Sequence, residues 1–142
     1  MNTHFIRIWK NHTKGENSVT TEFLSVKPNP LNKKEYIKPA EGDYAYVYHL
    51  RYSNTSRGDK INEPGRGLFC YGKITKVTED KKQVSISLLP EKKMGYKVFM
   101  CEQLKGTTHP EELDKCMSDS CNEGINLLSQ EADDFLQKQF NH

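Results

Sequence analysis

Residues 42 to 79, GDYAYVYHLRYSNTSRGDKINEPGRGLFCYGKITKVTE, constrain the fold of this chain more than any other stretch. Alternation puts Tyr44, Tyr46 and Tyr48 on one face of a strand Tyr44 to Leu50, with Ala45 and Val47 on the other. Three rings in register are too large an area to leave in water, so this strand must be covered. A second strand, Leu68 to Glu79, alternates Leu68, Cys70, Gly72 and Ile74 against Phe69, Tyr71, Lys73, Thr75 and Val77. Between them, Arg51 to Arg66 is polar, glycine-rich and basic, a loop whose ends meet if the two strands pair as nearby segments usually do. Gly72 marks a place where backbone, a bulge or a ligand comes close.

The rest of the chain is read around that pair. Glu79 to Lys82 is a tight polar connection, and Gln83 to Leu89 returns with Val84, Ile86 and Leu88 buried. His4 to Trp9 is a first strand with apolar residues on both faces, as in a small barrel. Residues 10 to 42 form a long excursion interrupted by Pro28 and Pro30, with a brief strand or irregular crossing at Thr20 to Val26. After a turn at Pro90 to Lys93, Gly95 to Cys101 supplies a further strand. Thr108 and Glu111 have capping-box spacing for a helix running to Ser118. Ser129 caps a last helix, whose packed face is Ala132, Phe135, Leu136 and Phe140.

With 142 residues the chain has the size of one domain, 1–142, that folds without disulfide or metal. Charge is divided unevenly. Residues 1 to 100 hold 18 Lys and Arg against 10 Asp and Glu, while residues 101 to 142 hold 3 against 9. A basic body with an acidic tail suits a nucleic-acid partner. Four cysteines without a secretory segment fit a reduced, cytoplasmic protein, and no apolar run reaches the ~18 residues of a membrane span. Cys116 and Cys121 are spaced too widely for a zinc knuckle, and no histidine follows at a matching distance.

No phosphate-binding glycine motif, HExxH or nucleophile elbow is present. His49, followed by Ser53, Asp59 and Glu63, can be drawn as a general base, or as a strand-end histidine bonded to backbone. What remains is an aromatic and basic set: Trp9, Tyr46, Tyr48, Phe69 and Tyr71, with Arg51, Arg57, Arg66 and Lys73. Rings on a sheet can sandwich a base while cations hold its phosphates, and Ser53 and Asn54 would read the base edge.

Gly42-Asp43-Tyr-Ala-Tyr-Val-Tyr48-His49 with Ser53-Asn54 resembles the EVE-type domain of the PUA-like superfamily, which is related to ASCH and YTH domains. Glu63-Pro-Gly65, the strand Leu68 to Val77 and the segment Gly124 to Phe135 resemble its later elements. The resemblance implies an α+β fold, a small PUA-like mixed β-pseudobarrel with short flanking helices. It also implies a reader of modified bases with an aromatic pocket lined by Trp9, Tyr48, His49, Ser53, Asn54 and the Phe69–Tyr71 strand. The chain departs from that pattern in having no tryptophan between residues 10 and 42, where Tyr36 or Phe23 would replace the missing wall.

The expectation is therefore a non-catalytic module binding DNA or RNA, with a base pocket of Trp9, Tyr46, Tyr48, His49, Ser53, Asn54, Phe69 and Tyr71. Arg51, Arg57, Arg66 and Lys73 would contact phosphates, and no cofactor or metal is assigned. The alternatives are a protein-interaction adaptor, or an ASCH-like nuclease or hydrolase using His49 with Lys73 or Asp59.

Overall fold

A computed structural model describes residues 1–9, 23–29, 36–50, 67–80, 82–93, 101–117 and 122–140. Six strands among them form one sheet: β1 (Thr3–Trp9), β2 (Phe23–Val26), β3 (Tyr44–Leu50), β4 (Gly67–Glu79), β5 (Val84–Lys93) and β6 (Gly124–Leu127). Their order is β2-β5-β4-β3-β1-β6. Two short helices, α1 (Glu112–Cys116) and α2 (Gln130–Phe140), complete the described architecture with a 3-10 turn at Cys101–Leu104. The aromatic strands pair antiparallel, Tyr46 opposite Tyr71, as their proximity in sequence predicts. The β4–β5 hairpin closes on Asp80, whose Oδ1 accepts the amides of Lys82 and Gln83 at 2.9 Å each. Those two bonds hold its carboxyl below the usual range. β1 adds parallel to β3, from Thr3 opposite Tyr44 to Trp9 opposite Leu50.

The expected pseudobarrel is corrected: the sheet is not closed into a barrel, and among the described strands β2 and β6 stand at the two ends of the order. Both of these strands are only four residues long. A side chain bridges what strand pairing does not. Arg7, fully buried in β1, donates from Nη2 to the Asn29 carbonyl beyond β2 at 2.6 Å and to Asn126 Oδ1 of β6 at 2.9 Å. Its Nη1 donates to the Asn122 carbonyl at 2.5 Å. Gly124 makes room for this clasp, since a Cβ there would stand 2.1 Å from both the guanidinium and the Asn29 oxygen.

Two apolar clusters lie on opposite faces of the sheet. One contains Ile6, Ile8, Leu24, Val26, Ala45, Val47, Cys70, Ile74, Val84, Ile86, Leu88 and Ile125, so every described strand contributes to it and no described helix does. The sheet therefore curls around its own inner face. The helices cover part of the outer face, packing Leu113, Cys116, Met117, Ala132 and Leu136 over Phe5, Tyr46, Tyr48 and Leu68.

Leu68 and Cys70 share strand parity yet enter different clusters. A bulge explains this: Val47 faces Cys70 and Tyr48 faces Leu68, so Phe69 is an extra residue that switches the faces. At a second bulge Gly72 lies opposite Pro90, where a Cβ would meet the Leu89 carbonyl oxygen at 2.4 Å. The close partner at Gly72 is thus backbone.

Ser129 caps α2 as expected, its Oγ accepting the Ala132 amide at 3.1 Å. The capping box at Thr108 does not form. Leu113 and Asp114 instead bond the Pro110 and Glu111 carbonyls, and the helix starts at Glu112 without a side-chain cap. Of the predicted strand Gly95 to Cys101, residues 95–100 lie outside the described residues and Cys101 opens the 3-10 turn.

Candidate functional site

The three tyrosines of β3 share the outer face, but their depth differs. Tyr46 and Tyr48 are 0% and 1% exposed. Tyr48 stands 5.6 Å from the Phe5 ring and donates to the Met117 carbonyl at 3.2 Å. The Tyr46 hydroxyl bonds the Asp133 carboxylate and accepts from Gln137 Nε2 at 2.7 Å, which docks α2 on the sheet. Burial, then the Asp133 hydrogen bond and charge, push the Tyr46 phenol far up. His49 is also fully buried, on the inner-face parity of β3 opposite Ile8 and Gly67.

The other expected pocket residues are dispersed or undescribed. Trp9 ends β1 opposite Leu50, and Phe69 occupies the extra position of the β3–β4 bulge. Ser53, Asn54, Arg51, Arg57 and Arg66 lie outside the described residues, as does Asp59. His49 and Lys73 have opposite parity at opposite ends of β3, since Lys73 pairs with Tyr44 and His49 with Gly67. An acid–base pair of these two is not assembled.

What the fold does bring together is a row of rings. Tyr44 and Tyr71 stack with centroids 5.3 Å apart and planes 15° from parallel. Tyr71 continues to Tyr46 at 4.7 Å, and Tyr46 to Phe140 of α2 at 6.0 Å. The row begins buried beneath α2 and rises to Tyr44, which is half-exposed and lies outside the helix-covered cluster.

Around Tyr44 the described outer face carries exposed side chains. Lys73 is exposed and stands opposite Tyr44 on one side and Leu89 on the other; Lys76, also exposed, follows on β4 opposite Ser87. Lys92, opposite Tyr71, donates to Gln137 Oε1 at 2.6 Å. Glu91 adds a carboxylate beside the stacked rings. Its charge, ahead of burial and a hydrogen bond, raises the Tyr44 phenol. Burial, then Asp133 and Glu91, push Tyr71 up to about 12. Both phenols therefore remain protonated hydrogen-bond donors at neutral pH.

Tyr44, Glu91, Lys76 and Lys92 were not among the residues expected at the site. Tyr44 shares the parity of Tyr46 and Tyr48, a signal that was present. Glu91 and Lys92 belong to a PEKK stretch that reads locally as a turn but continues β5.

A separate groove of about 310 Å³ lies between residues 108–110 and α2, lined by Thr108, His109, Pro110, Glu131, Asp134, Phe135 and Lys138. His109 places Nε2 2.7 Å from Asp114 Oδ1 and Nδ1 2.9 Å from the Thr107 carbonyl. The hydrogen bond to Asp114, then that to Thr107, raises its pKa. Two acceptors facing both ring nitrogens are satisfied by the imidazolium, which makes this histidine a surface tie. Among the described residues no group of three His, Cys, Asp or Glu side chains is arranged to hold a metal ion, and no helix is long and apolar enough to cross a membrane.

Comparison with protein-family models, with curated proteins and with solved structures gives no match for this chain.

Proposed function

We propose that this chain is a non-catalytic nucleic-acid-binding module that uses the open part of its outer sheet face. The observation carrying the reading is the Tyr44–Tyr71 stack, half-exposed and bordered by Lys73 and Lys76. A ring pre-stacked on a rigid strand accepts a base with little ordering cost, and base–aromatic stacking contributes about 1–3 kcal/mol per base. Ammonium groups on the neighbouring strand neutralise phosphates and release counterions. The site is a platform rather than a closed cage, because Tyr46 and Tyr48 spend their rings on the core. A platform suits single strands, whose bases are free to unstack.

Titration against single-stranded and duplex oligonucleotides over a range of salt tests this. Two neutralised phosphates give a slope of log K against log salt near −1.4 for single strands, at about −0.7 each. Tyr44→Ala and Lys73→Glu should each weaken binding about tenfold while leaving the circular dichroism spectrum unchanged. Methylated bases belong in the panel because of the resemblance to EVE-type domains. Absence of binding to any of these oligonucleotides overturns the reading.

One observation favours a second reading, a protein-interaction adaptor: Leu89, opposite Lys73 on the same face, is 48% exposed. An interface centred on Leu89 would resist salt, whereas a phosphate-driven complex weakens steeply.

A further inference from the structure

Resting on that proposed function, we infer that Tyr46 is a second base-stacking position of the platform, one that Phe140 at the end of α2 occupies and a single strand of nucleic acid opens.

The row of rings ends on a residue from outside the sheet. Tyr44, Tyr71 and Tyr46 belong to two paired strands, whereas Phe140 is brought to them by α2. Its ring centroid lies 6.0 Å from that of Tyr46 with the planes 28° apart, a stacked pair. Phe140 thus takes, on Tyr46, the place that the proposed function gives to a base on Tyr44. One flat ring can replace another there, because every base has a π-face and stacking on an aromatic side chain tolerates sequence. Single strands are held by successive rings, and Tyr44 and Tyr46 are neighbours on one face of β3.

The helix is fixed by its earlier turns. Ser129 caps it, Ala132 and Leu136 are fully buried, and the Tyr46 hydroxyl donates to the Asp133 carbonyl at 3.1 Å and bonds the Asp133 carboxylate. Phe140 is instead the last residue of α2 and only half-buried, in a turn whose final carbonyls have no partner within the helix. Such ends open at far lower cost than the body of a fold. The same turn also holds a cation. Lys92 Nζ donates to Gln137 Oε1 at 2.6 Å, while Gln137 Nε2 donates to the Tyr46 hydroxyl at 2.7 Å. Opening residues 137–140 therefore bares a ring face and releases an ammonium group beside it. Those are the two groups a stacked nucleotide uses, a π-face for its base and a cation for its phosphate.

The experiment measures binding of short oligo-dT at fixed low salt to the unaltered protein, to Phe140→Leu and to Phe140→Ala. Leucine keeps an apolar cover without a planar ring, and alanine removes the cover. Both variants should bind about threefold more tightly, since the aromatic pair no longer competes with the base. In the unaltered protein, the amides of Gln137 to Phe140 should exchange with solvent faster in the complex than without oligonucleotide, while those of Ala132 to Leu136 keep their protection. Affinity that is unchanged or lower in both variants, or last-turn amides that stay as protected in the complex as without it, overturns the second position and leaves nucleic-acid binding at Tyr44 intact. Failure of the unaltered protein and of both variants to bind oligo-dT, duplex and mixed-sequence single strands overturns the inference together with the function it rests on. The exchange measurement needs no substitution, so it decides the matter even where a change at Phe140 lowers the thermal transition.

Discussion

The guanidinium of Arg7 lies 2.6 Å from the carbonyl oxygen of Asn29, joining the parallel strand β1 to the segment that leaves the far edge strand β2. An open sheet that curls on itself has two edges with unpaired backbone groups, which proteins must shield. Here one charged side chain of β1 ties together the segment beyond β2, the segment before β6 and a side chain of β6. It satisfies carbonyls at Asn29 and Asn122 and the side chain of Asn126, and so holds the curl from which the tyrosine platform projects.

Replacing Arg7 should therefore unseat the curl without touching the apolar clusters. Arg7→Met keeps most of the volume but leaves three part-buried acceptors without their donor, at a cost of about 1–3 kcal/mol. Arg7→Lys should fall between, because one ammonium cannot reproduce the planar fork. Urea denaturation checks both, and a midpoint for Arg7→Met equal to that of the unaltered protein removes the clasp from the account.

Asp43 gives the fold an acid-sensitive point. Burial pushes its carboxyl up, but hydrogen bonds from His4 Nε2 at 2.9 Å and from the Asn2 and Ala40 amides at 3.1 Å each outweigh burial and hold the pKa below its ordinary value. A folded-state pKa below the unfolded one, about 3.9, means stability is fully present above that value and is lost as pH falls through the folded value. Asp43→Asn should lower stability at neutral pH by about 1–3 kcal/mol and flatten its dependence below pH 4. Chemical denaturation at a series of pH values measures this, and parallel curves for the two proteins would count against it.

Gly72→Ala tests the hairpin register. The added methyl would lie 2.4 Å from the Leu89 oxygen and 2.8 Å from the Pro90 Cα, both backbone atoms that cannot rotate away. Destabilisation of about 1–3 kcal/mol is expected, with faster amide exchange at Tyr71 and Lys92 as the bulge opens. Unchanged exchange at those two residues would mean the strands approach less closely than described.

The legible parts of this fold were those governed by local period. Alternation in Tyr44 to Leu50, and the Val84, Ile86, Leu88 face of the hairpin, are properties of a single strand read two residues at a time. Ser129 and the stripe of α2 were legible for the same reason, since a cap and a helical face are settled within one or two turns. Thr108 misled because capping-box spacing is also compatible with a turn whose amides bond Pro110 and Glu111 instead. The PEKK stretch misled because Pro90 signals a break. It is tolerated inside β5 because β2 pairs only with Val84 to Ser87, so no β2 residue calls on its missing amide.

By itself the sequence determined the paired aromatic strands, the hairpin, the last helix and the division between a basic body and an acidic tail. Tertiary structure alone decided which of the described tyrosines reach solvent, that β1 joins β3 in parallel, and that the sheet does not close into a barrel, with Arg7 tied to the segments beside β2 and β6. The physical reason is separation along the chain. Alternation is a local steric property, whereas the bulge at Phe69, the cover of α2 over Tyr46 and the clasp from Arg7 to Asn29 and Asn122 join residues whose encounter no local pattern encodes.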